Sequence, residues 1–304
     1  MTRYCGAHGG CLLALALALA LASGAARASP ESPQSPQSSP FRLDASSEFS
    51  VVRAPFFTRN LPRLQAHGFV LELSASAAVW PGCALGARVP LALMSIRQPA
   101  GSFVDETVLG NPAASVTCRS ESIGRTRSAW VGLELGLPLA QQGPSTELQR
   151  NRALESANAA ESYLAPELFT PATLPAVIRG GARLSRQPLS AESEISLPLL
   201  VRIRAPELPP EATVHRMGVL PSLKLTFAAQ LSARVRMSQS IQAAVAVARV
   251  YEPWFGASRV QPSLRSGVHF GLAPHLALEA SFLVPVAGVL GGAAYTGAVS
   301  LEAR

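Results

Sequence analysis

Beyond residue 28 the chain holds two cysteines, Cys83 and Cys118, and four histidines, His67, His215, His269 and His275. Metal coordination needs ligands at short fixed spacings, such as two histidines four apart on a helix or a Cys-x-x-Cys pair. None of these six residues stands at such a spacing. Hydrolysis would need a serine, a histidine and an orienting carboxylate that converge. The nearest candidate base, His269, shares the parity of Arg265, and paired carboxylates do not occur at a meaningful spacing. The sequence therefore predicts neither an enzyme nor a bound metal or cofactor.

The charged residues follow another rule. Arg88, Arg119, Arg202, Arg204, Lys224, Arg234, Arg236, Arg265 and Arg304 occupy alternate positions in otherwise apolar stretches, as do Glu72, Glu134, Glu194, Glu279 and Glu302. Ser222–Met237 shows the pattern over sixteen residues: Leu223, Leu225, Phe227, Leu231, Val235 and Met237 alternate with Lys224, Thr226, Gln230, Arg234 and Arg236. Similar alternation marks Phe69–Val79, Leu85–Leu93, Val131–Leu139, Ile195–Ile203, Val260–Leu272, Leu276–Phe282 and Tyr295–Leu301. Period two means strands with chemically distinct faces.

A soluble antiparallel sheet with one wet face and a membrane barrel both produce this period. Strand length separates them: soluble strands usually run five or six residues, whereas a tilted membrane strand needs about nine to eleven. Several stretches here reach the longer figure, and no helix with an apolar stripe is available to cover the oily face. Lipid would cover it, and a sheet in hydrocarbon must close, because open edges leave backbone groups unpaired. The fold expected is all-β, a closed antiparallel transmembrane β-barrel of about twelve strands, with ten and fourteen as alternatives.

Connections alternate in length. Pro81-Gly82, Ser238-Gln239 and Pro274 read as tight turns. Gln98–Thr107, Gln141–Ala176, Ala205–His215 and Glu252–Arg259 read as long loops, as do residues 55–62 after a first strand at Phe41–Arg53. Short turns would face the periplasm and long loops the exterior. The longest loop contains Ser145–Leu164, free of Gly and Pro and rich in Ala, Leu, Glu and Arg. With Ser145 as N-cap it predicts a short polar helix lying on or dipping into the mouth.

The N-terminus carries Arg3, the apolar run Cys11–Ala22 and the small-x-small sequence Ala26-Arg27-Ala28, which predicts a secretory signal peptide over residues 1–28. Its removal takes Arg3 and Arg27 and brings the 26 basic residues to 24 against 19 acidic ones, a formal charge of +5. That excess is spread thinly, without the dense basic clusters of nucleic-acid binding. Residues 29–40, with a proline every three or four positions, read as a periplasmic tether, and residues 41–304 as the outer-membrane barrel domain.

In an oxidising compartment Cys83 and Cys118 are disulfide candidates: one begins a strand and the other ends the next, both on the lipid-facing parity. The lumen-lining candidates are Arg88, Arg202, Arg204, Lys224, Arg234, Arg236, Arg265, Glu72, Glu134 and Glu279. Their cationic excess would bias a pore toward anions. Alternatively the charges pair across a narrow interior and fill it.

"VLGNPAASV" (Val108–Val116), "GLELGLPLA" (Gly132–Ala140) and "VWPGCALGARVPLAL" (Val79–Leu93) resemble phrases of outer-membrane barrels that carry hydrophobic compounds in Gram-negative bacteria, of the fatty-acid and phenol-degradation type. The resemblance covers about a quarter of the chain. It implies an outer-membrane location, a small solute as cargo, and membrane lipid and the barrel-assembly machinery as partners. Two readings stand: a passive pore or transporter for a small anionic or hydrophobic solute, and a structural or surface-interaction barrel with a packed interior.

Overall fold

The computed structural model describes residues 41–54, 64–97, 101–121, 126–140, 146–160, 164–204, 213–248, 251–252, 259–288, 290 and 294–303. The expected signal peptide and tether lie outside the described residues. The alternating stretches form β1 (Phe41–Ala54), β2 (Leu64–Trp80), β3 (Cys83–Arg97), β4 (Phe103–Leu109), β5 (Ala113–Glu121), β6 (Arg127–Gly136), β7 (Thr173–Arg186), β8 (Leu189–Arg202), β10 (Met217–Val219), β11 (Ser222–Gln230), β12 (Val235–Val245), β14 (Val260–Ala273), β15 (Leu276–Pro285) and β16 (Ala294–Ala303). Two short strands, β9 (Thr213–Val214) and β13 (Tyr251–Glu252), pair outside this sheet, and one helix, α1 (Glu147–Ala160), interrupts the series.

Fourteen strands make one antiparallel sheet. β4 and β5 lie end to end against β3, and β10 and β11 end to end against β8, so the fourteen occupy twelve positions. Each position is paired on both sides. The ring closes where β1 meets β16 over a continuous register from Leu43↔Ala303 to Val52↔Ala294. The fold is thus a closed antiparallel β-barrel of twelve spans.

Side chains sort by parity. Val131, Leu133, Leu135, Ile178, Ile195, Leu223, Phe227, Ile241, Phe282 and Val299 point outward and remain 43–60% exposed. On the outer face Phe282 stacks on Tyr295 with ring centroids 6.4 Å apart. The inward face differs along the axis. Toward the long-loop end it is buried, with apolar Ala66, Val70, Met94, Ile96, Leu200 and Leu220 beside polar Gln242, Gln261, Ser263 and Thr296. Toward the short-turn end it is polar.

Two stretches depart from the sequence reading. Ser222–Met237 is not one strand but a hairpin: β11 ends at Gln230, residues 231–234 turn, and β12 begins at Val235. The Ser232 hydroxyl accepts from the Arg234 and Val235 amides (3.3 and 3.2 Å), and Gln230 Nε2 donates to Ser232 O (2.6 Å). Gln230 pairs with Arg236, six residues on, so paired positions keep the same parity, the alternation passes through the turn unbroken and period two cannot detect it. Ser238 and Gln239, expected to form that turn, lie inside β12 opposite Ala228 and Phe227.

The second departure is Val108–Arg119, which is split. Leu109 faces Leu91 and Ala113 faces Arg88, so Gly110, Asn111 and Pro112 oppose only Val89 and Pro90. The extra residue is a bulge that shifts the inward parity from even (Glu106, Val108) to odd (Ala113, Ser115, Thr117).

Cys83 and Cys118 are direct partners across β3 and β5, and their sulfurs are joined. The bridge closes a segment of sequence separation 35, for which loop entropy assigns a stabilisation of about 4 kcal/mol. Replacing both cysteines with alanine is expected to lower the unfolding free energy by about that amount in urea titrations of the detergent-folded protein. Alkylation without reduction should leave both cysteines unmodified, and two labelled thiols would remove the bridge from this account.

Candidate functional site

The loop between β6 and β7 folds back into the barrel. Its helix starts with a reciprocal cap: the Gln149 amide donates to Thr146 Oγ1 and the Thr146 amide to Gln149 Oε1, both at 3.4 Å. The N-cap is therefore Thr146; Ser145, expected in that role, lies outside the described residues. Although α1 is rich in polar residues, Asn151 and Ala153–Ala160 are all buried. The helix packs against β1, β3, β4 and β16, and Thr296 Oγ1 of β16 donates to Ala160 O at its C-terminal end (2.7 Å). The helix expected on or in the mouth is a plug inside the ring.

The segment after the helix carries the site's central residue. Glu167 is 1% exposed and receives Arg179 Nη2 of β7 at 2.6 Å and Arg88 Nη2 of β3 at 2.8 Å on the same carboxylate oxygen. Arg88 also holds Glu134 of β6 through Nη2 and through Nε (3.1 Å), and stands 3.6 Å from Glu72 of β2. Arg179 stands 3.9 Å from Glu134. Two cations from the wall thus grip one loop carboxylate, with two wall carboxylates balancing them.

The strand break beside this cluster serves the same loop. Asn111 Nδ2 donates to Glu167 O (2.9 Å) and Thr170 O (3.0 Å), the Asn111 amide donates to Leu168 O (2.6 Å), and Asn111 Oδ1 accepts from the Ala140 amide (3.0 Å). Gly110 is required by the close approach: a Cβ there would stand 2.5 Å from Leu168 O. Phe169 is fully buried next to it. The bulge trades ladder hydrogen bonds for a socket that captures residues 166–173.

Burial alone would push the Glu167 carboxyl up. The charges of Arg179 and Arg88 outweigh it and hold the carboxyl below the usual carboxylate range. A depressed carboxyl stabilises the docked loop fully above its unfolded value, near pH 4.3, and that contribution is lost as pH falls through the folded value.

Below the latch the lumen holds a cavity of about 480 Å³ bounded by Ser115, Thr117, Arg119, Trp130, Glu134, Arg179 and Glu192. The expected lumen residues divide among three places. Arg88, Glu72 and Glu134 form the latch. Arg202, Lys224, Arg236, Arg265 and Glu279 lie on inward-parity positions of their strands. Lys224 stands between Glu194 and Gln242 in register, and Arg236 in a row with His269 and Glu279.

Arg204 lies past the end of β8 and reaches Glu147 of α1 at 3.5 Å, 54% exposed, so it contributes little. Arg234 is the correction among them: it sits exposed in the turn 231–234, beyond the strands. Arg304 lies outside the described residues. Sequence reasoning missed Glu167, Arg179 and Glu192. Gly180-Gly181 blurs the period of β7, and nothing in a loop sequence reveals that Glu167 turns inward. Among the described residues no group of three or more His, Cys, Asp or Glu side chains is placed to hold a metal ion.

No family model matches the chain, and no curated protein matches it in sequence. Solved structures do match in fold. An outer-membrane channel from Pseudomonas putida F1 superposes with a TM-score of 0.60 at 7% identity, over 89% of this chain and 99% of that one. The transport unit of the autotransporter AIDA-I from Escherichia coli gives 0.52 at 9% identity, over 93% and 97%. The NanC porin gives 0.51 at 5% identity, over 86% and 99%. These likenesses show a shared barrel fold.

Glu167→Gln keeps the shape of the latch and removes its charge. Hydrogen bonds to charged groups contribute about 1.5–3 kcal/mol, so amide exchange across α1 and residues 166–173 should accelerate about 10- to 100-fold while the strands stay protected. Lowering the pH below about 4 should reduce the protection factors of the same amides in the wild type. The Gln variant should show no such acid step, since Arg88, Arg179, Glu72 and Glu134 face it in both proteins. An equal acid response in the variant would place the titration elsewhere. Arg88→Met, which leaves Glu167 and Glu134 to share Arg179 alone, should cost up to about 3–5 kcal/mol, read as urea sensitivity of the loop.

Proposed function

We propose that the protein is an outer-membrane channel for small solutes, closed at its outer half by its own inward-folded loop. One observation carries this reading: the outer half of the interior is filled by the loop, and the inner half holds a cavity. A purely structural barrel would fill its lumen throughout, as its outer half is filled. The inner half instead keeps a charged and hydroxylated cavity, and the latch forms its roof. The oily belt of outward side chains fits a lipid surrounding. The barrel likeness to an outer-membrane channel and a porin supports the same reading.

The polar lining favours a polar solute over the hydrophobic cargo that the sequence resemblance implies, because apolar cargo would strip water from Arg119 and Glu192 and give back no hydrogen bond. The packed outer half is what a non-conducting surface barrel would also show, so conduction separates the two readings. In planar bilayers the wild type should show small or brief conductance steps. Deleting residues 146–160 should give steady conductance at least several-fold larger. A folded deletion variant without current steps would leave the packed, structural barrel as the answer.

A further inference from the structure

The cavity beneath the latch has the parts of a saccharide site, and this inference rests on the channel reading above. Its floor is Trp130, an inward-facing indole on β6. Trp130 stands directly between Arg119 of β5 and Gly181 of β7 in register. A Cβ at Gly181 would lie 2.5 Å from Trp130 Nε1 and 2.7 Å from Cε2. The indole therefore lies along the wall across β7 and does not reach over the lumen, and glycine is what leaves room for it. A ring laid this way offers a flat apolar surface of the kind on which the C–H face of a pyranose stacks.

Around that surface stand groups of both signs and several hydroxyls. Arg119 and Glu192 border the cavity from opposite sides of Trp130, with Ser115 and Thr117 between Arg119 and the latch. A guanidinium and a carboxylate that flank one aromatic plane suit a ligand with many neutral hydroxyl groups, each able to donate and accept. A simple anion would meet Glu192 and Glu134, and a simple cation would meet Arg119 and Arg179. A flat hydrocarbon would strip water from Arg119 and Glu192 and offer them no hydrogen bond. The volume of about 480 Å³ falls within the range of small-ligand pockets. We infer that the Trp130–Arg119–Glu192 cavity binds a neutral mono- or disaccharide as it passes through, or waits below, the latched lumen.

The test uses the full-length barrel folded in detergent, in a Trp80→Phe/Trp254→Phe background so that the remaining indole emission reports on Trp130 alone. Glucose, maltose, sucrose and cellobiose are titrated, with benzoate as an aromatic carboxylate. At least one sugar should change the emission saturably. Isothermal titration of the otherwise wild-type barrel should then show binding of that sugar weakened at least tenfold by Trp130→Ala. Gly181→Ala, which keeps the tryptophan but displaces it, should weaken it too, and Trp130→Phe should retain part of the affinity.

Saturable binding of benzoate alone would overturn the saccharide assignment, as would sugar binding that Trp130→Ala leaves unchanged. So would the absence of any response from a barrel whose heat-modifiable migration shows it folded. Conductance of the same preparations is read in parallel. A channel that conducts yet ignores every sugar sinks this inference alone, whereas loss of conductance with sugar binding intact sinks the channel reading and leaves the site.

Discussion

A backbone amide left unpaired against hydrocarbon costs several kcal/mol, and an oily outer face gives a sheet no other way to be covered than lipid. Those two facts together leave the chain one architecture. The seam between β1 and β16 is where the constraint is met: the first and last strands of the described chain supply each other's ladder over ten residue pairs. Without that seam two strand edges would be exposed at the depth where Val131, Leu223 and Phe282 face outward. The even number of spans follows too, since both ends of the chain then return to the short-turn side.

Closure creates a second problem, the contents of the ring. Twelve strands enclose more space than inward side chains alone fill, and this chain fills the outer half with its own loop. The helix buries Asn151, Glu155, Ser156 and Asn158 beside its alanines, which a dry apolar core could not accept. Here it works because the lumen offers partners on its polar side and small residues such as Ala66, Ala92 and Ala294 on the other. The loop is held less by oil than by charge and socket. Glu167 between Arg88 and Arg179 has local, directional and removable attraction, and Asn111 fixes the backbone beside it. An apolar plug would be anchored as firmly but with no single group on which its position depends.

The bulge at Gly110–Pro112 and the glycines of β7 show how a strand can be spent on something other than sheet. Both weaken the ladder locally, and both do so where another group needs the space: Leu168 O at Gly110, the indole of Trp130 at Gly181. Both places are walls of the site.

Much of the barrel was legible from the residues alone. Side chains in a strand point alternately by covalent geometry, so Leu133, Glu134 and Leu135 announce their faces without any knowledge of neighbours, and the pairing of Cys83 with Cys118 follows once their two strands are neighbours. The strand count needed only lengths and turns. A turn hid inside Ser222–Met237 because its closing pair, Gln230 and Arg236, stands an even number of residues apart and leaves the period intact, and that hid the true place of Arg234. The inward fold of the loop, the gathering of Glu167 with Arg88 and Arg179, and the cavity below them were decided by the tertiary structure. They depend on distances between segments far apart in the chain, and a linear pattern records direction along one strand but not which distant carboxylate will arrive opposite it.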